Sequence, residues 1–184
     1  MRQAFFAADP IKRPNYFPGR LLLADDFTME QSYHREKQRR HNLHCHGFGV
    51  VHGLKVSTLN KDSTWSVAIE PGVAIDPAGN EIELFTIAHF RLPESPTAIE
   101  VGIRFLERLC DPVPALSDPA LPDSQPSRAE EGCEVLLHPV SMPRGSRAKG
   151  TELDTSQAVL PLAHLVRVRG VWRASRKFKV PRAR

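Results

Sequence analysis

The chain has 184 residues, of which 41% are hydrophobic, and a formal net charge of +4. That length suits one domain, and that apolar share suffices for a packed core, so wholesale disorder is excluded. Sixteen prolines cut the chain into short elements and argue against an all-helical bundle.

Charge is unevenly spread. Acids outnumber bases between Lys61 and Glu134, whereas the stretch from Arg167 onward holds eight Lys or Arg and no acid. No apolar run approaches the roughly 20 residues that span a bilayer, and Phe5-Phe6-Ala7-Ala8 is too short for a signal-peptide core. Synthesis in a reducing cytoplasm, without membrane insertion, is the resulting expectation. Cys45, Cys110 and Cys133 agree with it, because the number is odd and the spacing matches no disulfide framework.

Residues 1–24 read as an extended arm. Pro10, Pro14 and Pro18 exclude a helix there, and Phe5, Phe6, Tyr16 and Phe17 supply more aromatics than a free tail tolerates, so the arm is expected to dock on protein. Residues 25–46 read as a helix, N-capped by Asp25 or Asp26 and ended by Gly47 and Gly49. Its large apolar residues are Phe27, Met29, Tyr33 and Leu43. A helix this polar lies on a surface or meets a partner through a narrow seam. Met29, Tyr33 and Leu43 keep one side, with Tyr33 as anchor and Arg35, Arg39 and Arg40 placed to reach acids on a neighbour.

Residues 47–172 read as a β-rich body. Val50-Val51 and Leu54–Val56 are strand-like, followed by a turn at Asn60-Lys61-Asp62 and a strand carrying Trp65, Val67 and Ile69. Val73-Ala74-Ile75 is a short strand. In the Asp76–Asn80 turn after it, the Asp76 side chain bonds its own backbone and Gly79 takes a positive φ. Glu81 to Phe90 reads as one strand with Ile82, Leu84 and Thr86 on one face. Ile99–Phe105 and Val135–Val140 are strands, residues 111–132 a long Pro-rich surface loop, and Ser141–Gly150 a basic loop. Val159 to Trp172 forms a final strand pair turning near Gly170, and residues 173–184 a basic tail. The expected fold is mainly β, an antiparallel sandwich or barrel, with one long N-terminal helix and the extended arm.

Two chemical constellations compete with structural readings. His34, His41, His44, Cys45, His46 and His52 are dense enough for zinc, with His41, His44 and Cys45 the best trio, but no CxxC or HExxH spacing accompanies them. The simpler reading is a capped helix end with no metal and no cofactor. Asp76 and Glu81 could serve as paired carboxylates, although the turn explains Asp76 without catalysis. No nucleophile elbow, P-loop or dinucleotide fingerprint is present, so an enzyme is not expected. Cys110 and Cys133 could approach one another if the strands they border pair. The basic tail, with Trp172 and Phe178 interleaved, resembles a single-strand stacking site, yet an acidic protein partner is favoured over nucleic acid.

Several motifs together resemble a known family. They are Tyr16-Phe17-Pro18-Gly19-Arg20-Leu21-Leu22, Ala24-Asp25-Asp26-Phe27, Gln31-x-Tyr33-His34, and Arg40-His41-Asn42 with His46-Gly47-Phe48-Gly49-Val50-Val51-x-Gly53-Leu54. Glu70-Pro71-Gly72-Val73-Ala74-Ile75-Asp76-Pro77-x-Gly79-Asn80-Glu81-Ile82, Asp111-Pro112-Val113-Pro114-Ala115-Leu116 and Leu160-Pro161-Leu162-Ala163-x-Leu165-Val166 complete the set. Over residues 14–170 this pattern resembles a bacterial family associated with phage-tail-like contractile injection systems. It is also similar to the N-terminal shell of type VI secretion baseplate subunits. His44, Cys45 and the basic tail depart from it. The resemblance implies a structural subunit that contacts other particle subunits and forms a homo-oligomer. The alternative is a carbohydrate- or surface-binding module using Trp65, Trp172 and the Pro-rich loop.

Overall fold

The computed structural model describes residues 11–114, 124–140 and 158–184. Phe5 and Phe6, the centre of the Pro-rich loop and the Ser141–Gly150 loop lie outside the described residues. The chain is mostly β, as expected. One helix, α1 (Ala24–His41), runs into a π-helical turn at Asn42–His46. Among the described residues ten strands follow: β1 (Gly49–Gly53), β2 (Val56–Lys61), β3 (Thr64–Ile69), β4 (Gly72–Ile75), β5 (Glu81–Leu84), β6 (Ala88–Arg91), β7 (Ala98–Pro114), β8 (Ser124–Pro139), β9 (Val159–Val168) and β10 (Val171–Ala174).

They form three antiparallel sheets ordered β1-β4-β5, β2-β3-β6 and β10-β9-β7-β8. All three feed one core: Val50, Ala74 and Ile82 from the first, Val67 and Ile69 from the second, and Val101, Ile103, Leu160, Leu162 and Trp172 from the third. Each is removed from water, which contributes about 1.5–3 kcal/mol for a large aliphatic side chain. Trp172 is 1% exposed. Its burial removes it from both surface-binding roles considered for it, sugar recognition and base stacking.

Several sequence expectations need correction. The 81–90 run is not one strand. β5 pairs with β4 and β6 pairs with β3, so the chain changes sheet at Phe85–Ile87, which leaves Phe85 77% exposed and Thr86 off the core face. The 60–62 turn sits later, at Asp62-Ser63, where both residues have positive φ (49° and 62°). Such a pair matches the twist of a two-residue hairpin. The 111–132 loop is much shorter than its composition suggests. β7 and β8 pair from Ile99↔Pro139 out to Pro114↔Ser124, whereas β9 covers β7 only from Ala98 to Arg104. The outer half is therefore a two-stranded ribbon, where proline is tolerated because no third strand needs its missing N–H. Cross-strand pairs Arg108–Glu130 (2.7 Å) and Arg128–Asp111 (3.5 Å) line it. In that register Cys133 faces Phe105 and Cys110 faces Arg128, so the two thiols are not neighbours.

Candidate functional site

The helix begins at Ala24, ahead of both expected caps, Asp25 and Asp26. Leu23 precedes the first turn, and the Asp26 carboxylate reaches back to accept the Leu23 N–H (3.1 Å). Arg20 pairs with the same carboxylate and donates to Asn15 O (2.7 Å), while the Tyr16 hydroxyl donates to Glu30 Oε2 (2.6 Å). That hydrogen bond raises the Tyr16 pKa, because ionising the phenol would lose its donor beside a carboxylate. Residues 15–23 of the arm are thus tied to the first turns of α1 by polar contacts, and their apolar side chains face outward. Phe17, Leu21, Leu22, Leu23, Phe27 and Met29 are all exposed, Leu21 by 78% and Phe27 by 51%. No residue of α1 is buried.

The other end of the helix is fixed by the turn at residues 76–80. Asp76, 1% exposed, accepts the N–H groups of Ala78 (2.8 Å) and Asn80 (2.9 Å) on Oδ1 and the Asn80 amide (2.8 Å) on Oδ2. All of its near partners belong to the turn it shapes. Gly79 has φ +89°, and a Cβ there would lie 2.5 Å from Arg39 O. The turn therefore abuts the helix backbone directly. Asn42, 3% exposed, donates to Gly79 O (2.9 Å) and Glu81 Oε1 (3.2 Å). Arg39 Nε donates to Asn80 Oδ1 (2.6 Å), Gln38 to Glu81 Oε1 (3.1 Å), and Arg35 pairs with Glu107 (3.0 Å) on the ribbon. Asn42 is the docking residue that sequence reading missed; only its place one helical turn beyond Gln38 and Arg39 pointed to it.

Arg35, Gln38, Arg39 and Asn42 recur at spacings of three and four, which is one helix face, and that face is used by the chain's own body. Arg35 and Arg39, expected to reach acids on a neighbour, thus make contacts within the chain. Met29, Tyr33 and Arg40 lie about 120–160° round the helix from Arg35 at 3.6 residues per turn. They form the outward face, where Arg40, among the described residues, pairs with Glu36 within the helix (2.8 Å). Tyr33 is half-buried, its ring edge-on to His34 (5.4 Å).

The histidine and cysteine cluster does not converge. Cys45 Sγ is 3.5 Å from His41 Nδ1 and the His41 and His46 rings meet edge-on, but among the described residues no three His, Cys, Asp or Glu side chains gather for a metal. A cleft of about 280 Å³ between α1 and the ribbon is lined by Arg35, Arg39, Asn80, Glu81, Glu107 and Glu131. Among the described residues that line it, none carries a hydroxyl or a thiol. Cys133 is half-buried, and that burial pushes its thiol pKa up, away from the reactive thiolate.

No family model matches the sequence, and no curated protein matches it. Solved structures do match in fold. One, from the structure of the type VI secretion system TssK-TssF-TssG baseplate subcomplex, superposes with a TM-score of 0.51 at 15% identity, covering 92% of this chain and 62% of that one. A crystal structure of TssK gives 0.51 at 14% identity, covering 90% of this chain and 41% of the other. At such identities the likeness is one of fold, and the chain spans less than two thirds of either relative.

Proposed function

We infer that the chain is a structural, non-enzymic subunit of a phage-tail-like contractile injection particle, acting in the baseplate or another terminal assembly by binding neighbouring subunits. The observation that carries this reading is the exposed apolar ridge of the arm and first half of α1, from Tyr16 and Phe17 through Leu21–Leu23 to Phe27 and Met29. Apolar side chains concentrated in one short segment mark a contact surface rather than scattered surface residues. The ridge passes into the outward face of α1, where Tyr33 offers a ring with a hydroxyl and Arg40 a planar cation, both favoured at interface centres. The baseplate fold likeness supports the particle; it does not by itself name the neighbour. The polar face of α1 is held by the turn at residues 76–80, so the helix is presented as a fixed element.

The test is sedimentation velocity of the wild type and of Tyr33→Ala combined with Arg40→Ala, with circular dichroism as the folding check. Weakened self-association, or weakened binding to a neighbouring particle subunit, in a folded double variant is the expected result. A wild-type chain that is strictly monomeric and binds no such subunit overturns the reading.

A further inference from the structure

β1 is the edge strand of its sheet, and its free edge is occupied by the chain's own C-terminal segment. Val50 N–H donates to Pro181 O (2.9 Å), Ala183 N–H to Val50 O (3.3 Å) and Arg184 N–H to His46 O (2.8 Å), giving a parallel addition. The approach is close because Gly49 carries no side chain: with φ +141°, a Cβ there would stand 2.6 Å from the Arg182 backbone. Upstream, the segment is hinged just past β10, where Ser175 N–H donates to His164 O (2.7 Å) and Phe178 stacks on His164 at 4.3 Å.

The strap covers the body only in part, with Val180 packed against the core and Phe178 on His164. No residue from Ser175 to Arg184 is fully buried. Beneath it is an open cleft of about 340 Å³ lined by Val50, Leu54, Val56, Leu162, Phe178 and Val180. Arg176, Lys177, Lys179, Arg182 and Arg184 are exposed, and among the described residues no acid pairs with them. A short terminal strand that adds to a sheet edge by backbone hydrogen bonds, with two apolar side chains, Phe178 and Val180, as anchors, is the geometry of strand addition and of segment exchange between copies.

We propose that the β1 edge is a strand-acceptor groove and that residues 176–184 are its exchangeable ligand, donated in the assembled state by a second copy of this chain. The same backbone register is available to the same segment from either copy, so exchange needs no new side-chain contacts. The groove shares no residue with the arm or α1, so this proposal and the reading of the apolar ridge can fail separately.

Two measurements test it. The first uses a fluorescent peptide of residues 176–184 and the full chain carrying Ala183→Pro, which removes the N–H donated to Val50 O and loosens the resident strap. The peptide should bind the variant at least tenfold more tightly than the wild type, whose groove is occupied, because apparent affinity scales with the fraction of open sites. A scrambled peptide of the same composition should not bind. The second needs no variant: isotopically heavy and light wild-type chains are mixed at high concentration and treated with an amine cross-linker. Lys55, beside the cleft, should join Lys179, in the strap, in heavy–light pairs. A folded variant that does not take up the peptide, equal binding of the scrambled peptide, or Lys55–Lys179 links confined to chains of one mass would overturn the proposal.

Discussion

Gly79→Ala probes the joint that fixes α1 to the body. Gly79 and Gly170 have nearly matched backbones, φ +89° and +81°, but a Cβ at Gly79 meets Arg39 O at 2.5 Å whereas one at Gly170 meets nothing within 4 Å. Placing Ala in the left-handed region costs about 1 kcal/mol at either site. At Gly79 the obstacle is backbone, so relief requires turn and helix to separate, which stretches the Asn42–Gly79 O bond and leaves a buried amide poorly satisfied. That loss adds about 2 kcal/mol, for a total near 3 kcal/mol against about 1 kcal/mol for Gly170→Ala. Urea denaturation of both variants, read by circular dichroism and extrapolated with a shared slope, measures the difference. Equal destabilisation at the two sites would refute the claim that the turn carries the helix.

Further expectations rest on other observations. Asn42→Ala should lower stability by about 1–3 kcal/mol in the same assay, since it leaves Gly79 O without its buried donor. Cys45, which is exposed, should react with a thiol reagent at neutral pH well before Cys133, whose raised pKa keeps it protonated; mass mapping of the first label decides this, and Cys133 reacting first contradicts it. Chelator should leave the melting temperature unchanged, and elemental analysis should find less than stoichiometric zinc. One zinc per chain would instead bring His41, His44 and Cys45 together in a way the described geometry does not.

What could be read from the sequence was local chemistry. Asp76 and Gly79 announce their turn because an Asx side chain and a glycine at a positive φ act within five residues, and Gly170 marks the last hairpin for the same reason. The helix was legible in extent, since Gly47 ends it wherever it packs. Features set by distant partners were not legible. Pro112, Pro114 and Pro126 read as loop, yet they sit in strands because the ribbon has no third strand there. Phe85–Ile87 looked continuous with its neighbours, and only the separate partners of β5 and β6 break it. Arg35 and Arg39 are indistinguishable from Arg40 in sequence; the positions of Glu107 and Asn80 decide which face turns inward. Trp172 was a surface ring only in the two alternative readings, base stacking and sugar recognition, and β10 buries it in the core instead.

The most direct test of the central claim is amide hydrogen exchange of the wild-type chain at low and at high concentration, or with a candidate neighbouring subunit added. Amides of residues 20–34, a stretch with no fully buried residue, should slow on association while those of the β7–β9 pairing stay as they were. Association that leaves residues 20–34 exchanging as fast as in the free chain would show that the apolar ridge is not the contact surface.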